Sequence, residues 1–172
     1  PGDVLSINGR EWQTIVGYGH SPEHISLYCP SLDLLISGDM LLPSISTNIS
    51  VWATEPDGNP LQQFLASLSR FEPLPAHTRV LPSHGRPFVG IQPRIDWLRW
   101  HHQQRLDALL AFCAEPKTAV EALPVLFERE LDAYQLFFAV GEAIAHLNLL
   151  WRGGQLRRLQ DDSGVYRFQR VL

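Results

Sequence analysis

The chain has 172 residues, of which 45% are hydrophobic and 19% are charged, and its formal net charge is −4 with histidine neutral. A chain of this size is expected to bury roughly 70% of its unfolded surface, which excludes disordered and collagen-like proteins. Two cysteines cannot build a disulfide scaffold, the apolar runs are shorter than the about 20 residues of a membrane span, and mild acidity argues against nucleic-acid binding through bulk charge. We therefore expect a cytoplasmic globular protein without a membrane partner.

The first ninety residues are typical of short strands separated by turns. The dipeptide Asn8-Gly9 between two β-rich runs predicts a hairpin. A second pair of strands is predicted over 25–28 and 34–37, and the latter is so continuously apolar that we expect both of its faces to be covered. A helix over 60–71 followed by a strand over 79–81 completes the order strand, helix, strand, which indicates a layered α/β fold.

Beyond Pro93 the apolar residues follow a helical period. Thr118 and Glu121 have the spacing of a capping box, which predicts the start of a short helix. Longer helices are predicted over 95–113 and 131–151, and two strands over 155–159 and 165–171. Helices followed by a two-stranded wing are the order of a winged-helix module, so we predict two domains, 1–113 and 114–172.

Three segments place a metal-competent side chain at a strand end or in a glycine-containing turn. They are Gly-His-Ser-Pro-Glu-His at 19–24, Ser-Gly-Asp at 37–39 and Pro-Ser-His-Gly at 82–85. Loops on a rigid scaffold hold ligands in place, and neutral imidazoles with a carboxylate suit zinc, iron or manganese. For any one of these residues a structural role is the more common alternative, but their combination predicts a dinuclear hydrolytic site.

In order and content, these segments closely resemble the second half of metallo-β-lactamase-fold hydrolases, especially the glyoxalase-II-like members that carry a C-terminal winged helix. The resemblance implies an α/β (α+β) fold class: the C-terminal half of an αββα fold, followed by a small winged-helix domain. It implies that His20 binds one divalent ion, that Asp39 bridges two ions and is catalytic, and that His84 binds the other. His24 matches a family position that usually supports the ligands through hydrogen bonds, with substrate contact as the alternative.

The resemblance also implies the chemistry. Two divalent ions, zinc first and iron or manganese as alternatives, would activate water to attack a thioester or another small-molecule ester. Asn48 follows the metal-binding Asp39 and is a candidate for substrate contact, with loop packing as the alternative. Two other functions stay open, an RNA or DNA nuclease of the same superfamily and a non-enzymatic winged-helix binding module. The C-terminal module is nearly neutral in charge, so we favour its packing on the hydrolase domain over nucleic-acid binding.

One family motif is missing from the sequence. The segment His-x-His-x-Asp-His, which supplies the remaining metal ligands in the family, does not occur, and no histidine precedes His20. The chain also opens on Pro1 without a methionine or a signal peptide, so we interpret it as a truncated fragment. We expect weak metal binding, little activity and a tendency to form homo-oligomers through the surface left by the missing half. Two further histidines, His102 and His146, are expected to have packing roles rather than to bind metal.

Overall fold

The computed structural model describes residues 2–171. The chain divides into two compact units. The first comprises the chain up to Thr47 together with Gln63–Arg99, and the second comprises Asn48–Gln62 together with the chain from Trp100 onward. The division predicted from the sequence, 1–113 and 114–172, stays a prediction.

The first unit is built on a six-stranded sheet whose strands lie in chain order. The strands are Val4–Ile7 (β1), Arg10–Gly17 (β2), His24–Cys29 (β3), Leu34–Gly38 (β4), Arg79–Pro82 (β5) and Phe88–Val89 (β6). Strands β4 and β5 are parallel, and the other neighbouring pairs are antiparallel. The carboxyl ends of β4 and β5 therefore lie at the same edge of the sheet, which brings Asp39 and the segment 83–85 together.

The hairpin predicted at Asn8-Gly9 is confirmed. Ile7 pairs with Arg10 across a two-residue turn. Asn8 has φ 51° and Gly9 has φ 73°. Positive φ at both central positions defines the turn that matches the twist of two antiparallel strands, and Asn and Gly adopt it at little cost.

The prediction that both faces of β4 are covered is wrong. Leu35 is fully buried, whereas its neighbour Ile36 is 39% exposed. Successive side chains of a strand point to opposite faces, so these two residues report on different sides of the sheet. A continuous apolar run does not reveal which of its residues find a partner in the folded chain, and here one face of the strand is the better covered.

The helices among residues 2–171 are Pro60–Leu68 (α1), Ile91–Phe112 (α2), Leu123–Leu126 (α3) and Ala133–Arg152 (α4), with a short 3₁₀ helix at Pro30–Leu32. The helices predicted over 60–71, 95–113 and 131–151 are thus confirmed, although α1 ends three residues early and α2 begins four residues early. Pro93 is the third residue of α2, where a helix tolerates proline because the first N–H groups have no intrahelical acceptor. No helix in this part of the chain combines the length and the apolar character that crossing a bilayer requires.

The second unit contains α3, α4 and an antiparallel hairpin formed by Leu156–Gln160 (β7) and Tyr166–Arg170 (β8). Asp132 caps α4 by accepting a hydrogen bond of 2.8 Å from the Gln135 N–H. The predicted capping box of Thr118 also forms its hydrogen bonds, but it closes a turn, and α3 begins only at Leu123. The element order agrees with the predicted one, and the mixed α/β class is confirmed.

Candidate metal and catalytic site

Asp39 lies immediately after β4 in the first unit and is held on several sides. Its backbone N–H donates a hydrogen bond of 3.1 Å to Nε2 of His24. The Thr47 hydroxyl donates to its carbonyl oxygen, and the Ser83 hydroxyl donates to Oδ1 of its carboxylate. Because the backbone and one carboxylate oxygen are both anchored, the orientation of the carboxylate is fixed.

Two imidazoles approach this carboxylate from different loops. His20, in the loop after β2, places Nε2 3.4 Å from Oδ2 of Asp39. His84, which follows β5, places Nε2 3.5 Å from Oδ1. The His20 and Asp39 side chains are 29% and 26% exposed, while that of His84 is 69% exposed. The structure therefore brings the three predicted ligands together, with one imidazole at each carboxylate oxygen.

Glycine is required by close packing next to two of these residues. Gly38 has φ +54°, and a Cβ at this position would overlap the ring of His24. Gly85 has φ +86°, and a Cβ there would lie 2.6 Å from Cγ of Pro43. Both glycines adjoin a predicted ligand, so the Gly-Asp and His-Gly pairs of the sequence motifs have a steric cause as well as a conformational one.

His24 is neutral, and it contacts Asp39 through a backbone hydrogen bond rather than through an ion pair. Its Nε2 accepts the backbone hydrogen bond, which places the ring proton on Nδ1. Burial lowers the pKa of His24, the nearby His20 lowers it further, and Asp39 partly opposes both effects. The rings of His20 and His24 lie 6.0 Å apart between centroids. The structure thus gives His24 a hydrogen-bonding role toward Asp39, and its role in the protein's chemistry stays a prediction.

The side chains around Asp39 are of the types that bind metal ions, but there are too few of them for a complete site. Two imidazole nitrogens and a carboxylate with one oxygen toward each are the groups that two bridged ions would use. A catalytic zinc ion normally has three protein ligands, whereas each ion here would have one imidazole and a share of Asp39. In agreement, no group of three or more His, Cys, Asp or Glu side chains among residues 2–171 is arranged to hold an ion. These residues therefore fit one side of a dinuclear centre.

Asn48 belongs to the second unit, where its amide is engaged. Its Oδ1 accepts a hydrogen bond of 2.8 Å from Ser50, and its Nδ2 lies 3.5 Å from Oε2 of Glu142 in α4. These contacts connect the loop before α1 to helix α4. Substrate contact by Asn48 stays a prediction, while loop packing is a role that the structure describes.

Sequence reasoning assigned no role to Thr47 or Ser83, which hold Asp39 in place. Ser83 lies within the Pro-Ser-His-Gly motif, so its neighbour His84 could have drawn attention to it. Thr47 carries no such signal, because its contact depends on how the loop after β4 returns toward the strand end. Serine and threonine hydroxyls are common in loops, and their spacing alone does not identify the acceptor they meet.

A second polar cluster lies inside the second unit and was not predicted. His102 and His146 are both fully buried, and Nδ1 of His102 lies 3.1 Å from Nε2 of His146. Nδ1 of His146 lies 2.9 Å from the carbonyl oxygen of Glu142, so it donates there and leaves Nε2 as an acceptor for His102. Burial holds the pKa of both histidines well below the ordinary value, so both rings are neutral at pH 7. The expected packing positions are therefore occupied by a hydrogen-bonded pair.

Two family models match the sequence. Residues 1–84 match the model described as the metallo-beta-lactamase superfamily. Residues 106–171 match the model described as the metallo-beta-lactamase-like C-terminal domain. The first match includes His20, Asp39 and His84, and the second includes all of α4 and the β7–β8 hairpin.

Individual relatives agree with these matches. A β-lactamase domain protein from Burkholderia ambifaria, known from a crystal structure, is 50% identical with a TM-score of 0.96, over 99% of this chain and 51% of that chain. The probable metallo-hydrolase YqjP of Bacillus subtilis (strain 168) is 28% identical over 94% of this chain and 52% of that protein. A hydroxyacylglutathione hydrolase of Idiomarina loihiensis is 35% identical over 48% of this chain and 29% of that protein. The chain spans about half the length of the first two relatives. By its two family matches and the fold it shares with the Burkholderia ambifaria structure, it belongs to the metallo-β-lactamase superfamily.

Proposed function

We propose that this chain supplies one side of a dinuclear metal site in a hydrolase that cleaves thioesters or other small acyl esters. The observation that carries the proposal is the position of Asp39, whose two carboxylate oxygens each face a different imidazole. In this assignment His20 and His84 would each hold one divalent ion, and Asp39 would be shared between the two. Zinc is the first choice for both ions, with iron or manganese as alternatives.

Bound ions would lower the pKa of water and stabilise the negative charge that develops on the carbonyl oxygen of the ester or thioester. Other side chains of this protein hold the metal ligands in position. His24, Thr47 and Ser83 restrain Asp39 from its backbone N–H, its carbonyl and its carboxylate. Residues that orient metal ligands in this way affect metal affinity strongly, typically by about 10- to 100-fold on mutation.

The relatives support the assignment to ester hydrolysis. One is named a hydroxyacylglutathione hydrolase and another a probable metallo-hydrolase. The chain covers about half of the latter, so activity of a whole protein is part of the proposal. Because each ion would find only two protein groups here, we propose that the 172-residue chain binds metal weakly, shows little turnover and behaves as a fragment of a glyoxalase-II-like enzyme.

Metal titration tests the ligand assignment without any need for activity. Chelator-washed chain is titrated with Zn²⁺ by calorimetry, beside the variants Asp39→Asn and His20→Gln. His77→Gln is the matched control, since His77 is an exposed histidine whose side chain contacts Asp33 instead. We expect weak binding that Asp39→Asn removes, that His20→Gln reduces and that His77→Gln leaves unchanged.

Two results would contradict parts of this proposal. Unchanged zinc binding by Asp39→Asn would reject the site itself. Two equivalents of zinc retained after chelator treatment, with turnover of an acyl thioester, would reject weak binding by this chain alone. The substrate class is tested in a protein that joins this chain to a segment carrying His-x-His-x-Asp-His. Such a protein should cleave an acyl thioester and leave a single-stranded oligonucleotide intact, and the reverse would favour the nuclease.

We propose that the second unit is a winged-helix module and that binding nucleic acid is not its function. Several arginines of its hairpin already have partners within the unit. Arg157 donates hydrogen bonds to the side-chain oxygen of Gln169, and Arg167 contacts both Asp161 and Glu121. Paired arginines have less to gain from phosphate contacts. A gel-shift titration with duplex DNA at low salt should show no binding at micromolar protein, and a salt-sensitive shift would favour a binding module.

A further inference from the structure

The second unit contains a cavity of about 840 Å³, within the roughly 300–1,000 Å³ range of small-molecule sites. One wall is a face of α4 that includes Val140 and Ile144, which are one turn apart. Trp52 contributes from the loop before α1, and Tyr166 contributes from β8. Three separate elements thus enclose a concave volume, which distinguishes it from a flat apolar patch.

The wall of the cavity is largely apolar, and its aromatic rim remains accessible. Trp52 is 50% exposed and Phe137 is 62% exposed, with their ring centroids 5.9 Å apart. Large apolar side chains left open around a concave surface indicate a binding site, because their exposure to water is unfavourable. The composition favours a ligand with an apolar body.

Arg158 is the one charged residue that lines the cavity among residues 2–171. Its side chain is only 11% exposed, and its guanidinium carbon lies 3.8 Å from the ring centroid of Trp151 and 4.2 Å from that of Tyr166. Its ion-pair partner Asp57 has a side chain that is 57% exposed and does not line the cavity. A cation held between two rings in an apolar wall attracts an anionic group strongly, since water screens the interaction poorly there.

We propose that this cavity binds an amphipathic monocarboxylate, a molecule with an unbranched apolar chain and one carboxylate. The chain lies against Val140 and Ile144, and the carboxylate contacts Arg158. This proposal concerns the second unit alone and does not depend on the metal site at Asp39. The single cation in the wall favours a carboxylate on the ligand, and the large apolar surface favours an apolar chain.

Calorimetric titration of the 172-residue chain with hexanoate, octanoate and decanoate tests the proposal. Burial of each added methylene should tighten binding about fourfold, so decanoate should bind best. Decan-1-ol and decyltrimethylammonium, which have the same chain without the negative charge, should bind more weakly than decanoate. Equal affinity for decanoate, decan-1-ol and decyltrimethylammonium, or no binding of decanoate at millimolar concentration, would overturn the proposal.

The variant Asp57→Asn provides a test of the carboxylate's position. It removes the carboxylate that competes for Arg158, so affinity for decanoate should rise several-fold while affinity for decan-1-ol stays unchanged. A structural role of the ion pair alone would change both ligands in parallel. Parallel changes, or weaker decanoate binding by a folded Asp57→Asn, would therefore contradict the assignment of Arg158.

Filling the cavity locates the site. Val140→Phe and Ile144→Trp place bulk in the wall at two positions, and either one that remains folded should lose decanoate binding. Val4→Phe is the matched control, on the exposed strand β1. Parent-like binding by a folded cavity variant would place the site elsewhere and overturn the proposal. A dimer that dissociates in Ile144→Trp, without decanoate binding by the parent, would assign the surface to a second copy of the chain instead.

Discussion

The backbone N–H of Asp39 donates its hydrogen bond to the ring of His24, and no Cβ fits between that ring and Gly38. This relationship links the first histidine motif to the aspartate motif through the backbone rather than through side chains. Because Nε2 of His24 must accept, the ring is held neutral and in one orientation. The aspartate that faces two other imidazoles is thereby fixed by a third.

Substitution of Gly38 by alanine should destabilise the first unit by more than the cost of placing an L residue at positive φ. An L residue at positive φ costs about 1–2 kcal/mol, and overlap with the His24 ring should add about 1–3 kcal/mol. Gly9→Ala is the matched control, because Gly9 also has positive φ but has nothing within 4 Å of the point that a Cβ would occupy. Urea unfolding of both variants gives the comparison, and equal losses of stability would mean that the ring adapts without cost.

The sequence was informative wherever a local pattern determined the outcome. The Asn8-Gly9 hairpin, the strand ends at Asp39 and His84, and the helical span of α4 all follow from short-range chemistry. The contacts it did not predict join distant positions, such as Thr47 with Asp39 or the buried histidine pair, whose members are 44 residues apart. Such contacts depend on how separate elements pack, which periodicity and spacing do not describe.

Acid should destabilise the second unit through His102 and His146. Burial is the main cause of the low pKa of both rings, and neighbouring charge on His101 and Arg105 acts in the same direction. The unfolded chain binds these protons near pH 6.5 and the folded chain does not. Each histidine therefore lowers the free energy of unfolding by up to about 1.4 kcal/mol per pH unit as pH falls below 6.5. Urea midpoints between pH 7.5 and 5 should show this slope.

The slope, rather than the absolute stability, identifies these histidines. His146→Gln is expected to cost stability at every pH because it disturbs a buried hydrogen bond, but its acid slope should be shallower than that of the parent. His77→Gln, at an exposed histidine, should keep the parental slope. An unchanged acid slope in His146→Gln would show that the loss of stability arises from other groups.

Glu142 should produce a dependence of the opposite sign. Burial raises its pKa to about 7, with Arg105 and the Asn48 amide opposing the shift. The stability that the protonated carboxyl provides is complete below about pH 4.5 and is lost as pH rises to about 7. Glu142→Gln keeps the size of the side chain and removes the buried charge, so at pH 8 it should be more stable than the parent, by roughly 3 kcal/mol at most.

The control for Glu142→Gln is the same substitution at an exposed glutamate. Glu11→Gln, at an exposed position of β2, is the control and should leave the pH profile unchanged. Because the two buried histidines and Glu142 act in opposite directions between pH 4.5 and 6.5, the variant should also show a steeper acid slope than the parent. A Glu142→Gln profile parallel to that of the parent would mean that the carboxyl is ionised in the folded chain without cost.

Gly141 should reverse the usual effect of alanine in a helix. Within α4, replacing glycine by alanine would ordinarily stabilise the helix by about 1 kcal/mol. Here the new Cβ would lie 2.8 Å from Cβ of Ser50 and 3.2 Å from the carbonyl oxygen of Val51, whose N–H donates to the Gly141 carbonyl. The loop is tied to the helix at this point, so the overlap should cost about 1–3 kcal/mol and make Gly141→Ala neutral or destabilising.

A double-mutant cycle with Ser50→Gly separates steric overlap from any general effect on α4. Ser50→Gly removes the Cβ that the new methyl group would meet, together with the hydrogen bond from its hydroxyl to Asn48. If overlap is the cause, the double variant should be more stable than the sum of the two single variants by about 1 kcal/mol or more. Additive changes in the free energy of unfolding would instead show that α4 and the loop adjust independently.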